Sequence, residues 1–102
     1  MSGPASGGNA TDGVIVRVLE ISNKKGLHAR ASAKFVQTVE RFDARVTVTR
    51  AGETVGGTSI MGLMMLSAGP GTSITVEAKG KQAAEAIDAI CALLDSRFGE
   101  ED

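Results

Sequence analysis

The run Gly26-Leu27-His28-Ala29-Arg30 gathers the side chains best suited to chemistry. His28 opens an apolar-periodic stretch, so it sits at or next to the N-cap of a helix read over residues 29–41. At that place the macrodipole disfavours the imidazolium and leaves a ring lone pair free near neutral pH. A neutral imidazole is a nucleophile. The amides of Ala29 and Arg30 are orphan donors that can hold an anion. The Arg30 guanidinium can take phosphate oxygens in a fork. Nucleophile, anion cradle and cation side by side suit a phosphoryl group carried on His28. The same residues also describe a surface His that caps a helix beside a solvated Arg. Residue types alone leave both readings open.

The rest of the chain must position that segment. Residues 14–21 are β-branched and bounded by turn residues, which reads as a strand. Both of its alternating sets are apolar, so the core-facing set is not decided. Within the helix after His28, Ser32, Phe35, Val36, Val39 and Phe42 share one side. Residues 45–50 alternate cleanly, with Val46 and Val48 on one face, and Ala51-Gly52 turns the chain into a short strand at 53–55. Ser59 is a favoured N-cap for a short helix at 60–66, which Gly69 and Pro70 close. Residues 73–78 alternate again through Ile74, Val76 and Ala78. A last helix at 81–97 carries the stripe Ala83, Ile87, Ile90, Leu94 and Phe98, bordered by Cys91. The order β-α-β-β-α-β-α predicts an α+β, two-layer domain: a four-stranded, mostly antiparallel sheet with three helices on one face. Residues 1–12 read as a disordered leader, 13–98 as the domain and 99–102 as a frayed acidic tail.

Composition narrows the function. The chain has 102 residues, enough for one domain, with 42% hydrophobic and 23% charged residues. A net charge of −1 excludes a strongly basic nucleic-acid binder, and 3% aromatics argue against a base-stacking surface. One Cys, Cys91, leaves no intramolecular disulfide and no Cys-rich metal site; Cys91 itself reads as a small apolar packing residue. One His excludes a His-dominated zinc site within the chain. No segment has the length of a membrane span, and a cytoplasmic protein is expected.

The segment around His28 resembles the active-site signature of HPr, the histidine-containing phosphocarrier of the bacterial phosphotransferase system. The segment Thr58-Ser59-Ile60-Met61-Gly62-Leu63-Met64-Met65-Leu66 resembles the regulatory-serine region of the same family, at the family's spacing. The resemblance spans residues 13–98 and implies the family's open-faced β-sandwich. It implies that His28 carries the phosphoryl group on Nδ1 and that Arg30 assists transfer. It implies a relay in which enzyme I phosphorylates His28 and His28 passes the group to a IIA-type protein, without metal or cofactor. It also implies that Ser59 is open to an HPr kinase. Ile60, Met61, Met64 and Met65 on the short helix, with Leu63 and Leu66 turned inward, would form an adaptable docking patch.

One departure stands inside the motif. Ala31 occupies a position where most members carry proline, so slower or slightly altered transfer is expected. The acidic ending and the pair Gln37 and Glu40 resemble carriers of the nitrogen-related branch, whereas Ser-Ile-Met-Gly resembles kinase-regulated members. The alternative from another class is a regulatory module that binds a metabolite or partner without covalent chemistry.

Overall fold

The computed structural model describes residues 14–100, so the leader expected over 1–12 and the last two residues lie outside it. The element order is β1 (Val14–Glu20), α1 (Ala29–Val39), β2 (Arg45–Arg50), β3 (Glu53–Gly56), α2 (Ile60–Met65), β4 (Ser73–Lys79) and α3 (Ala83–Asp95), closed by a 3₁₀ turn at Arg97–Gly99. The strands form one sheet in the order β1-β4-β2-β3. Every pairing is antiparallel. The expected α+β open-faced sandwich is the fold observed.

Alternation explains the two central strands. Val46 and Val48 of β2, with Ile74, Val76 and Ala78 of β4, are buried under the helices. Their intervening residues, among them Thr47, Thr49, Thr75 and Glu77, lie on the other face. Registers such as Thr47 opposite Glu77 and Thr49 opposite Thr75 keep that face polar. Pairing also decides β1. Val16 stands opposite Glu77 and Val18 opposite Thr75, so both valines join the open face and are exposed. Ile15 and Leu19 pack on the core from the other side.

Helix α1 buries Ala31, Ser32, Phe35, Val36, Thr38 and Val39. It ends at Val39, two residues short of the span read from sequence, and Phe42 packs on the core from the loop beyond. Helix α3 runs over β1 and β4 and beside α1, burying Ala83, Ala86, Ile87, Ile90 and Leu94. Cys91 is partly buried there. Burial raises its thiol pKa and nearby Asp95 and Asp88 raise it further, which outweighs the lowering by Arg17. The thiolate, the reactive form, is thereby disfavoured.

The loop that carries His28 is pinned to the loop after α2. Leu27 N–H donates to the Ala68 carbonyl at 3.0 Å. Gly26 adopts φ 63°, and a Cβ built there would lie 2.2 Å from the same carbonyl oxygen. Both the left-handed backbone and the close approach demand glycine. Gly26→Ala is expected to destabilise the domain by about 2–3 kcal/mol, which lowers the thermal midpoint by roughly 10–20 °C. A melting curve superimposable on wild type would show that this contact carries no energy.

Candidate functional site

His28 is the N-cap of α1, with extended backbone. Its carbonyl accepts from Ser32 N–H at 2.8 Å, the first bond of the helix. Its ring turns back over the helix start, where Nδ1 accepts from the Arg30 backbone N–H at 3.2 Å. The side chain is 28% exposed, so solvent or a partner can reach the ring. Buried Ser32 donates its hydroxyl to Leu27 O at 3.2 Å and fastens the residue before the His. Ala31, the position where the resemblance led to an expectation of proline, is fully buried at the helix start.

The other ring nitrogen has a partner that the sequence does not announce. Nε2 donates to Oε2 of Glu100, whose side chain is only 14% exposed. A carboxylate can only accept, and the Arg30 N–H can only donate. The two partners together assign the neutral ring one proton, on Nε2, and one lone pair, on Nδ1. Burial pushes the Glu100 carboxyl up. Hydrogen bonds from His28 and Asn23, with the positive charge of His28 when protonated and of Lys25, outweigh that and hold it below the ordinary glutamate value.

Glu100 is itself held. Fully buried Asn23 donates Nδ2 to Gly26 O at 2.8 Å and to Glu100 Oε1 at 3.2 Å. Both partners are acceptors, which fixes the amide's orientation, and Oδ1 makes no hydrogen bond among the described residues. Lys34 of α1 donates Nζ to Phe98 O at 2.6 Å. Phe98, at φ 58° in the 3₁₀ turn, buries its ring in the core. Of the tail read over residues 99–102, Gly99 closes the 3₁₀ turn and Glu100 meets His28 and Asn23, while the last two residues lie outside the described ones. Phe98 anchors the turn, and the glutamate is drawn in by two hydrogen bonds.

Four cations surround the groove at His28: Lys24 and Lys25 from the loop, and Arg30 and Lys34 from α1. This charge favours an anionic ligand although the chain as a whole is near neutral. Among the described residues no three His, Cys, Asp or Glu side chains gather as a metal site, and no helix is long and apolar enough to cross a membrane.

The second segment lies beside the first, α2 packing against α1. Ser59 is the N-cap of α2, its Oγ accepting from Gly62 N–H at 3.0 Å, and the residue is exposed. Leu63 and Leu66 are buried. Ile60 and Met64 are exposed, and Met61 and Met65 more so, at 69% and 70%. A helix with two leucines below and four large apolar side chains outside has an unpartnered apolar face.

Comparison with known proteins covers nearly the whole of this framework. The family model described as "PTS HPr component phosphorylation site" matches residues 15–96. The phosphocarrier protein HPr of Cupriavidus necator is 48% identical over 87 residues, covering 85% of this chain and 98% of that protein. The phosphocarrier protein NPr of Shewanella violacea is 44% identical over 84 residues, covering 82% and 92%. Among solved structures, HPr-C-His from Thermoanaerobacter tengcongensis aligns with a TM-score of 0.82 at 41% identity, over 86% of this chain and 99% of that one. The fold and the match together define a phosphocarrier component of the phosphotransferase system. The chain belongs to the HPr family.

Sequence reasoning missed Asn23, Lys34 and Glu100 as parts of the site. Asn23 had only the look of a loop residue, and Glu100 that of a solvated tail acid. Their one signal is pairing at long range, which a linear reading does not contain.

Proposed function

We propose that the protein accepts a phosphoryl group from phosphorylated enzyme I on Nδ1 of His28 and donates it to a histidine of a IIA-type protein in the cytoplasm. The observation that carries this reading is the His28 ring. Its lone pair lies on Nδ1, over the N-terminal amides of α1 and among four cations. As Nδ1 bonds to phosphorus, the Arg30 N–H loses its nitrogen acceptor and can take a phosphoryl oxygen instead. The Ala29 N–H, also at the helix start, and the Arg30 guanidinium can bind the others. The phosphorus–nitrogen bond to imidazole keeps the group transferable. Catalysis here is positioning and charge stabilisation, as expected of phosphoryl transfer.

The experiment is incubation with enzyme I and labelled phosphoenolpyruvate. Wild type is expected to take an acid-labile, base-stable label, and His28→Ala to take none. An unlabelled wild type would favour the module that binds without covalent chemistry. Relatives of comparable identity carry both the HPr and the NPr names. Direct competition between a sugar-branch and a nitrogen-branch IIA therefore decides the acceptor, with the nitrogen branch expected to win on the acidic ending and on exposed Gln37 and Glu40.

Regulation at Ser59 belongs to the same reading. The residue is exposed at the edge of the Ile60, Met61, Met64 and Met65 face, on which enzyme I, the IIA acceptor and an HPr kinase would dock. Phosphorylation there adds roughly two negative charges to a weak, adaptable docking surface, which repels acidic partners. A Ser59-phosphorylated sample is expected to accept from enzyme I about tenfold more slowly, a loss of about 1.4 kcal/mol. Equal rates would remove the regulatory role.

A further inference from the structure

We propose that Glu100 is a positioning residue for the phosphoryl chemistry. Its carboxylate holds the proton of His28 Nε2 through acceptance and donation, and so keeps the ring a nucleophile at Nδ1 and a neutral leaving group. The inference rests on the carrier reading of His28 and extends it to a residue beyond the stretch matched by the family model, which ends at residue 96.

Geometry carries the proposal. Nε2 donates to Glu100 Oε2 while Oε1 receives Asn23 Nδ2, so both carboxylate oxygens are engaged and the group cannot turn away freely. The turn below it is anchored by buried Phe98 and by Lys34 on the Phe98 carbonyl. Asn23 leaves its own Oδ1 unbonded among the described residues while Nδ2 serves Glu100.

The electron balance shows what the contact does. In acceptance, the Nδ1 lone pair forms a bond to phosphorus as the donor's phosphorus–nitrogen bond breaks and its electron pair returns to the donor ring. The His28 ring, still protonated on Nε2, becomes cationic. The charged groups facing it are Lys24 and Lys25 from the loop, Arg30 and Lys34 from α1, and Glu100 from the closing turn. Among the described residues Glu100 is the one carboxylate of this set, and it lies against the proton that marks the new charge. In donation, the electron pair of the breaking bond returns to Nδ1. Because Nε2 has kept its proton, the ring leaves as neutral imidazole. A ring bare at Nε2 would have to leave as imidazolate, a far stronger base. A carboxylate orienting an imidazole and stabilising its cation is an established device elsewhere.

The test uses the full chain as wild type, Glu100→Gln and Glu100→Ala. Gln keeps the shape and an oxygen that accepts from Nε2, and loses the charge. Ala loses both. In the unphosphorylated wild type, NMR is expected to show the Nε2 proton as a protected downfield resonance, retained in Glu100→Gln and lost in Glu100→Ala. In the phosphorylated protein, the pH at which the ring releases that proton is expected to fall by about one unit in Glu100→Gln, a tenfold change in the equilibrium. Donation to a IIA protein at pH 8 then slows about tenfold, while at pH 6 it stays within about twofold. Coincident titrations, or an equal loss at both pH values, would overturn the role given to Glu100 while leaving the carrier reading intact. A wild type that takes no label from enzyme I overturns the carrier reading and this inference with it.

Discussion

Arg30→Ala is expected to slow phosphoryl acceptance from enzyme I about a hundredfold, or about 2.7 kcal/mol in the barrier, without unfolding the protein. The guanidinium is exposed, so its removal takes little from the core. The backbone N–H that faces His28 Nδ1 belongs to the same residue and survives the substitution. The variant therefore separates side-chain charge from the amide cradle. Arg30→Lys keeps a cation and loses the planar fork, so it is expected to recover only part of the rate. Single-turnover transfer with matched melting curves checks both variants. Transfer at the wild-type rate in Arg30→Ala would mean that helix amides and lysines suffice.

Phe98→Ala should produce the largest loss of stability of any single change discussed for this chain. The ring is 1% exposed and fills the core at the end of α3. Emptying that volume costs about 3–5 kcal/mol, a large share of what holds a domain of this size together. The urea midpoint falls accordingly with little change in slope. The same substitution loosens the turn on which Lys34 and Glu100 converge, so the folded fraction is expected to lose the protected Nε2 proton as well. A variant as stable as wild type would show that the ring's burial is not what seats the turn.

Much of the framework was legible because it rests on short-range pattern. Period-two alternation marked β2 and β4, and buried Val46, Val48, Ile74, Val76 and Ala78 follow it. Ser59 was readable as an N-cap because its oxygen bonds three residues ahead. His28 was readable at a helix start for the same kind of reason. The valines of β1 were not assignable, since an edge strand with apolar residues on both sides is resolved only by its partner's register. The end of α3 misled in a specific way. Phe98 continues the spacing of Ile87, Ile90 and Leu94, yet the helix stops at Asp95. The phenylalanine reaches the core through a left-handed turn that opens with two residues other than glycine, Arg97 and Phe98, and ends on Gly99. Nothing local predicts such a backbone, because the burial that stabilises it is tertiary. The same holds for Asn23 and Glu100, which lie 77 residues apart in the sequence and meet through the tertiary fold.

Helix α2 spans six residues, fewer than two turns, with a glycine among them. So brief a coil has almost no cohesion of its own. It stands because Leu63 and Leu66 nail it down from beneath and because Arg50 reaches across to the Leu66 carbonyl at its last turn. The orientation of the methionines above is therefore inherited from residues no visitor to that surface would touch. Trimming either leucine would re-aim the whole outer plate while every outward-facing side chain kept its identity.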